Sequence, residues 1–276
     1  MTAPARLHAH AIRKRFVDGD RTVEVLDGID VEARPGEFVS VIGPSGCGKS
    51  TLFNIIAGLE EADAGEVRVD GTPVDGLDAH TDAFAYMPQQ DLLFPWRRVL
   101  DNTTLGLEVR GVPRQEARAR ATALFPRFGL AGFERAYPHT LSGGMRQRAA
   151  LLRTVVQERP ILLLDEPFGA LDALTRMEMQ EWLAGVSSEF GWTVLLVTHD
   201  VREAVLLSDR IVVLTPRPAS VAAVIEVPLP RPRRLDAFAD LAFVELEARV
   251  LHALRHPGGA AASATPIDVD EARAGR

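Results

Sequence analysis

Gly43-Pro44-Ser45-Gly46-Cys47-Gly48-Lys49-Ser50-Thr51 decides how this chain reads, because it fits the G-x-x-x-x-G-K-[ST] phosphate loop. An apolar run, Phe38-Val39-Ser40-Val41-Ile42, leads in as a buried strand does. Leu52-Phe53-Asn54-Ile55-Ile56-Ala57-Gly58 leads out with helical spacing and a glycine stop. Gly43, Gly46 and Gly48 let the backbone turn tightly enough to aim its N–H groups at phosphate oxygens. The following helix adds its positive N-terminal end. In such a loop Lys49 reaches the β- and γ-phosphates as a point charge, and the Ser50 hydroxyl ligates Mg²⁺. The alternative is a glycine-rich turn with an incidental lysine. Against it, only Lys14 and Lys49 among 31 basic residues are lysine. Cys47, beside the helix dipole and Lys49, is predicted to be a reactive thiol that bound nucleotide shields.

A chain of 276 residues, 46% hydrophobic and 25% charged, is long enough for a full core in one large or two ordinary domains. Its net charge of −7 gives no support to a nucleic-acid partner. The stretch from Met1 to Phe16 carries charges without an apolar segment, so no secretory signal is visible. No run approaches the ~18 apolar residues of a membrane span. One cysteine excludes an internal disulfide and fits a reducing compartment. The expectation is a cytosolic protein, or one docked to something that is not.

Leu7 to Val31 alternates around a turn at Asp18-Gly19-Asp20 and predicts antiparallel strands. Phe16, just before that turn, reads as ordinary strand packing. Gly65 to Gly71 and Phe84 to Met87 read as short strands. Gln89, Gln90 and Asp91 then precede an apolar group, Leu92-Leu93-Phe94-Pro95-Trp96, either tucked against its own domain or offered to another protein. From Val99 to Glu158 the pattern is helical, broken by Pro113, Pro126 and Pro138. Within it, Ser142 is a good N-cap, and Gly143-Gly144 leave the first turn bare. Such a turn suits a phosphate, although it caps many ordinary helices.

Ile161-Leu162-Leu163-Leu164 predicts a fully apolar strand that delivers Asp165-Glu166 to its C-terminal edge, where open α/β sheets hold ligands. Asp165 there holds Mg²⁺, and Glu166 polarises an attacking water; the plainer reading is two solvated acids. A helix to about Phe190 follows. The strand Val194-Leu195-Leu196-Val197-Thr198 then brings His199 to the same edge as a γ-phosphate contact. Ile211 to Leu214 and Val221 to Val227 read as strands. Pro228 to Arg234 reads as a linker, Leu235 to Arg255 as a charged helix, and the Ala/Gly-rich remainder from Pro257 as disordered.

The four motifs keep a fixed order, with Ser142 lying 93 positions past Lys49 (142 − 49) and Asp165 23 past Ser142 (165 − 142). Over roughly Leu7 to Val227 the chain resembles the nucleotide-binding subunits of ABC transporters. The resemblance implies an α/β P-loop NTPase with a RecA-like core, an antiparallel β subdomain and a helical signature subdomain. It implies a nucleotide-binding domain over 1–230 with helices at about 95–158, a helical extension over 231–256 and a tail over 257–276. It makes Phe16 the aromatic that stacks on adenine, Gln89 the Q-loop residue that couples Mg²⁺ to the membrane subunit, and His199 the switch histidine. Ser142, Gly143 and Gly144 match the signature that contacts the γ-phosphate held by the other monomer. Asp172 matches the loop that communicates across the dimer. Met145 and Gly169 depart from the commonest residues, glutamine and serine.

Gln89 to Trp96, the Leu-Ser-Gly-Gly-Met form and Glu166 to Asp172 look like the nitrate/sulfonate/taurine class of importer ATPases. The implied function is ATP hydrolysis by a homodimer that powers a separate membrane permease fed by a solute-binding protein. The implied cofactors are ATP and Mg²⁺, and the implied place is the cytoplasmic face of the inner membrane. The alternatives are a soluble ABC ATPase with no transport role and a nucleotide-gated switch protein. Glu166 speaks against the switch, which has no need of a general base.

Overall fold

Two strand patterns in the sequence produce two sheets. The computed structural model describes residues 6–19, 21–74 and 76–257. Asp20 of the first turn and the tail beyond 257 lie outside the described residues. The alternating segments β1 (Leu7–Asp18), β2 (Arg21–Ala33), β4 (Ala64–Val69) and β5 (Thr72–Pro73) form an antiparallel sheet ordered β2-β1-β4-β5. Its inner face buries Leu7, Ala9, Ile12, Ile29, Val31 and Val67, and its polar positions face outward. Ala11, at φ 50, interrupts the β1–β2 register between Ala9 and Ile12.

The continuous apolar runs build the second sheet. β3 (Phe38–Ile42), β6 (Phe84–Met87), β7 (Ile161–Asp165), β8 (Thr193–Thr198), β9 (Arg210–Leu214) and β10 (Val221–Glu226) take the order β10-β9-β3-β8-β7-β6. All neighbours are parallel except β10 with β9. Every residue of β3, β7, β8 and β9 is buried, as strands covered on both faces must be. The phosphate-loop strand β3 lies between β8 and β9, so the loops after β3, β7 and β8 leave one edge close together.

Helices α1 (Lys49–Ile56), α2 (Gly76–Ala83), α3 (Val99–Thr103), α4 (Leu105–Val109), α5 (Arg114–Leu124), α6 (Gly143–Val155), α7 (Ala173–Phe190), α8 (Val201–Leu207) and α9 (Leu241–Arg255) complete the chain. α2 has no counterpart in the sequence reading, because eight residues with little apolar periodicity give no helical signal. The α3–α6 helices and the sheet share one core, in which Phe125, Phe128 and Leu130 join Phe38, Leu162 and Leu164.

The C-terminal segment differs from its reading as linker plus helix. A short 3₁₀ turn, Leu235–Ala239, precedes α9, which begins only after the extended residue Asp240. Residues 228–234 are a strap rather than a linker. Arg233 is 4% exposed, and its guanidinium donates to the carbonyls of Val205, Leu206, Ser208, Val227 and Leu229. Phe243, Leu246 and Val250 of α9 pack with Val205, Ile211 and Val213 in a third cluster. Arg233→Ala leaves several buried carbonyls without a donor and is expected to lower stability by about 3 kcal/mol. Denaturant unfolding measures it; a loss below about 0.5 kcal/mol, the usual effect of surface changes, would make the strap peripheral.

Candidate functional site

The phosphate loop closes through a backbone that a side chain would obstruct. Gly48 sits at φ 122, and a Cβ there would stand 2.8 Å from Val25 Cγ1. Lys49 is buried, and its Nζ donates to the carbonyls of Gly43 at 2.9 Å and Pro44 at 3.1 Å. The ammonium is thereby held inside the loop. A cavity of about 250 Å³ is lined by Ser45, Gly46, Gly48, Lys49, Ser50, Thr51, Glu166 and Arg217. Cys47 corrects the expectation of a reactive thiol. It is 2% exposed and packs into the core with Leu52 and Leu214, out of reach of reagents in solution.

β7 carries Asp165 and Glu166 to the same edge. Asp165 is buried and accepts a hydrogen bond from the Tyr86 hydroxyl at 3.3 Å. Burial pushes its carboxyl above the usual carboxylate range, Glu166 adds to that, and Tyr86, Lys49 and Ser50 oppose it. Burial and the Asp165 charge raise the Tyr86 phenol in turn.

Glu166 has φ 44, a left-handed conformation costly for a residue with a Cβ. Its N–H donates to Val197 O at 2.9 Å, which ties the strained residue to β8. Its Oε2 accepts from Gln89 Nε2 at 3.0 Å and lies 3.3 Å from His199 Nδ1. Three residues from three separate loops therefore meet at one carboxylate oxygen. Ser142 caps α6 by accepting from Met145 N at 3.2 Å, and a Cβ on Gly144 would stand 2.9 Å from Thr175 Cγ2. Neither the signature residues Ser142, Gly143 and Gly144 nor Phe16 line the phosphate-loop cavity. Phe16 is 41% exposed, with Lys14 Nζ 5.1 Å from its ring centre.

Arg217 and Tyr86 escaped the sequence reading. Arg217 lies in the β9–β10 turn, which is drawn over the site where Ala219 N donates to Val25 O and Asp27 N to Ala219 O. Nothing in Thr-Pro-Arg-Pro signals that placement. Behind His199, Glu203 is wholly buried; one oxygen accepts from Gln180 Nε2 at 3.1 Å and the other has no partner. Burial pushes its carboxyl up to about 8, against an ordinary 4.5. Between those values the folded state holds a proton that the unfolded state has released, so stability falls as pH rises through that window. Glu203→Gln is expected to flatten this fall, gaining on the parent protein from about pH 5 to pH 8 in urea midpoints. An unchanged slope would place the titration elsewhere.

A family profile described as ABC transporter matches residues 26–169. The chain belongs to the ABC transporter ATP-binding family. It is 47% identical over 266 residues to an aliphatic sulfonates import ATP-binding protein, SsuB, of Ralstonia nicotianae, covering 96% of this chain and 85% of the relative. It is 43% identical over 250 residues to an uncharacterized ABC transporter ATP-binding protein, MJ0412, of Methanocaldococcus jannaschii, covering 91% of each. Among solved structures, the dimeric ABC transporter cassette MJ0796 aligns at 31% identity with a TM-score of 0.71, over 81% of this chain and all of that one. The same cassette in a post-hydrolysis state bound to ADP and Pi aligns at 30% identity with a TM-score of 0.69, over the same shares of the two chains.

This ABC protein thus has the P-loop cassette fold and is a nucleotide-binding ATPase. No helix among the described residues is long and apolar enough to cross a membrane. A Cβ at Gly169 would stand 3.5 Å from Glu166 O, 3.6 Å from Glu166 Oε2 and 3.8 Å from Gln89 Nε2, ordinary contacts that put this position beside the Gln89–Glu166 pair. The apolar group after Gln89 divides. Leu93 is buried, whereas Leu92, Phe94 and Trp96 are exposed, with Phe94 and Trp96 stacked at 5.1 Å.

Proposed function

We propose that this chain is the ATP-hydrolysing subunit of an importer for small sulfonate-like solutes. In this reading two copies close over two ATP molecules, bind a separate permease at the cytoplasmic face of the inner membrane, and draw solute from a binding protein. The observation that carries the proposal is the meeting of Gln89, Glu166 and His199 beside the phosphate loop. The solute class is supported by the sulfonate-import relatives and by the motif resemblance around Gln89, Ser142 and Glu166.

Lys49 and the N–H groups from Gly43, Ser45, Gly46, Cys47, Gly48, Ser50 and Thr51 cradle the β- and γ-phosphates, with Pro44 shaping the turn between them, and Phe16 stacks on adenine. The Ser50 hydroxyl, the Asp165 carboxylate and the Gln89 amide oxygen are hard oxygen donors of the kind Mg²⁺ takes. The Tyr86 hydroxyl already holds one of them in place, donating to Asp165 at 3.3 Å. Bound there, Mg²⁺ supplies charge neutralisation to the phosphates. Glu166 takes the proton of the attacking water as its oxygen bonds the γ-phosphorus and the bond to ADP breaks. His199 orients that carboxylate and meets the γ-phosphate. Ser142, Gly143 and Gly144 reach the nucleotide held by the other copy.

The test is uptake. A strain lacking this gene and using a sulfonate as its sulfur source is expected to stop growing, and the plasmid-borne gene to restore growth. Growth unaffected by deletion, with purified complex hydrolysing ATP normally, would reject the solute class and keep the ATPase.

A further inference from the structure

The outer face of the antiparallel sheet carries a second set of metal-type ligands, remote from the nucleotide site. His8 and His10 lie two apart on β1 and so share a face, as do Asp30 and Glu32 on β2. Register sets His8 opposite Glu32. The same register, Ala9 opposite Val31, carries on to set His10 beside Asp30, and Ala11 N donates to Asp30 Oδ1 at 3.1 Å and fixes that carboxylate.

His10 Nδ1 lies 2.7 Å from Asp30 Oδ1, and His8 Nε2 lies 3.9 Å from Asp30 Oδ1 and 3.6 Å from Glu32 Oε1. Donor atoms of His8, His10 and Asp30 all fall within 4.8 Å of one another. A cation bound tetrahedrally at about 2.0–2.1 Å separates its ligands by roughly 3.4 Å, which lies inside this spread. We propose that His8, His10 and Asp30, with Glu32 as fourth ligand, bind a first-row transition cation of the Zn²⁺ type.

Two imidazoles with carboxylates favour such ions over Mg²⁺ or Ca²⁺, which take oxygen ligands. The cation beside the group, Arg68, is neutralised by Glu66 at 2.6 Å. All four ligands reach water, so the ion enters without opening the fold. Once bound it clips β1 to β2, in the sheet that presents Phe16 at the far end of β1.

The test uses full-length protein freed of any affinity tag, in excess Mg²⁺ so that the nucleotide site does not compete. Zn²⁺ titration by calorimetry, and Co²⁺ titration by visible absorption, are expected to show one equivalent bound tightly with a tetrahedral Co²⁺ spectrum. His8→Ala with His10→Ala is expected to weaken binding at least 100-fold. Asp30→Asn is expected to weaken it about tenfold. Zn²⁺ is expected to raise the melting temperature of the parent and not of the double variant, with ATP turnover in Mg²⁺ alone the same in both. Absence of a tetrahedral Co²⁺ spectrum, or equal Zn²⁺ affinity in the parent and either variant, would overturn the assignment. Asp30→Asn reports independently should the double variant fold poorly.

Discussion

Replacing Glu166 by Gln is expected to lower ATP turnover at least about 10²-fold while leaving ATP affinity nearly unchanged, the loss typical of removing a positioned general base. Gln has the same shape and keeps the φ 44 backbone anchored on Val197 O, so the strain and the fold persist. What disappears is the acceptor at Oε2, which now serves Gln89 Nε2 and faces His199 Nδ1. In the proposed dimer, ATP is then bound but not consumed, and the closed form accumulates because opening follows hydrolysis. Turnover, nucleotide affinity and molecular mass with and without ATP measure this. Near-normal turnover, or a monomer under both conditions, would remove Glu166 from its assigned role.

The second large effect is expected from Phe94→Ala combined with Trp96→Ala: loss of transport with ATP affinity held within about twofold, as befits sites that share no contact. The backbone under these side chains is fixed without them. Phe94 N donates to the buried Asn102 Oδ1 at 2.7 Å, and Asn102 Nδ2 returns to Phe94 O at 3.1 Å. Arg153 donates to the carbonyls of Asp91 and Leu92, and Arg146 of α6 pairs with Asp91 at 3.1 Å. The exposed rings therefore stand on a rigid platform that joins Gln89 to the signature helix. Aromatics presented this way are favoured interface anchors, and the proposed partner is the permease. Pull-down of permease beside nucleotide binding decides it. Lost ATP binding together with a lowered melting temperature would assign the rings to the domain's own core.

Asp165, Glu166 and His199 were legible because each ends an apolar strand, and period and composition mark such strands plainly. The loop around Lys49 was legible because its geometry demands particular residues at fixed spacing. Tyr86 and Arg217 were not. Tyr86 reaches Asp165 across 79 positions of chain, through a sheet order that no local pattern encodes. Arg217 depends on a turn bonded to β2. Arginine and proline in 228–234 suggested solvent, but the charge of Arg233 is satisfied by carbonyls from other elements. The burial of Cys47 was hidden for a similar reason: the dipole and Lys49 are neighbours in sequence, and the apolar wall is not.

The place of β3 in its sheet also governs how the protein is born. Ile42 leaves the ribosome long before its neighbours in the sheet: β8 starts 151 residues later (193 − 42) and β9 168 later (210 − 42). At about 5–20 residues per second, the first gap alone lasts roughly 8–30 s. Throughout it Phe38–Ile42 is an apolar strand with both edges open, the kind of segment that chaperones shield. ATP cannot rescue it, since β8, the strand that flanks β3 and anchors Glu166, has yet to arrive. A nascent chain halted before residue 193 carries the whole phosphate-loop sequence and has nowhere to put a phosphate.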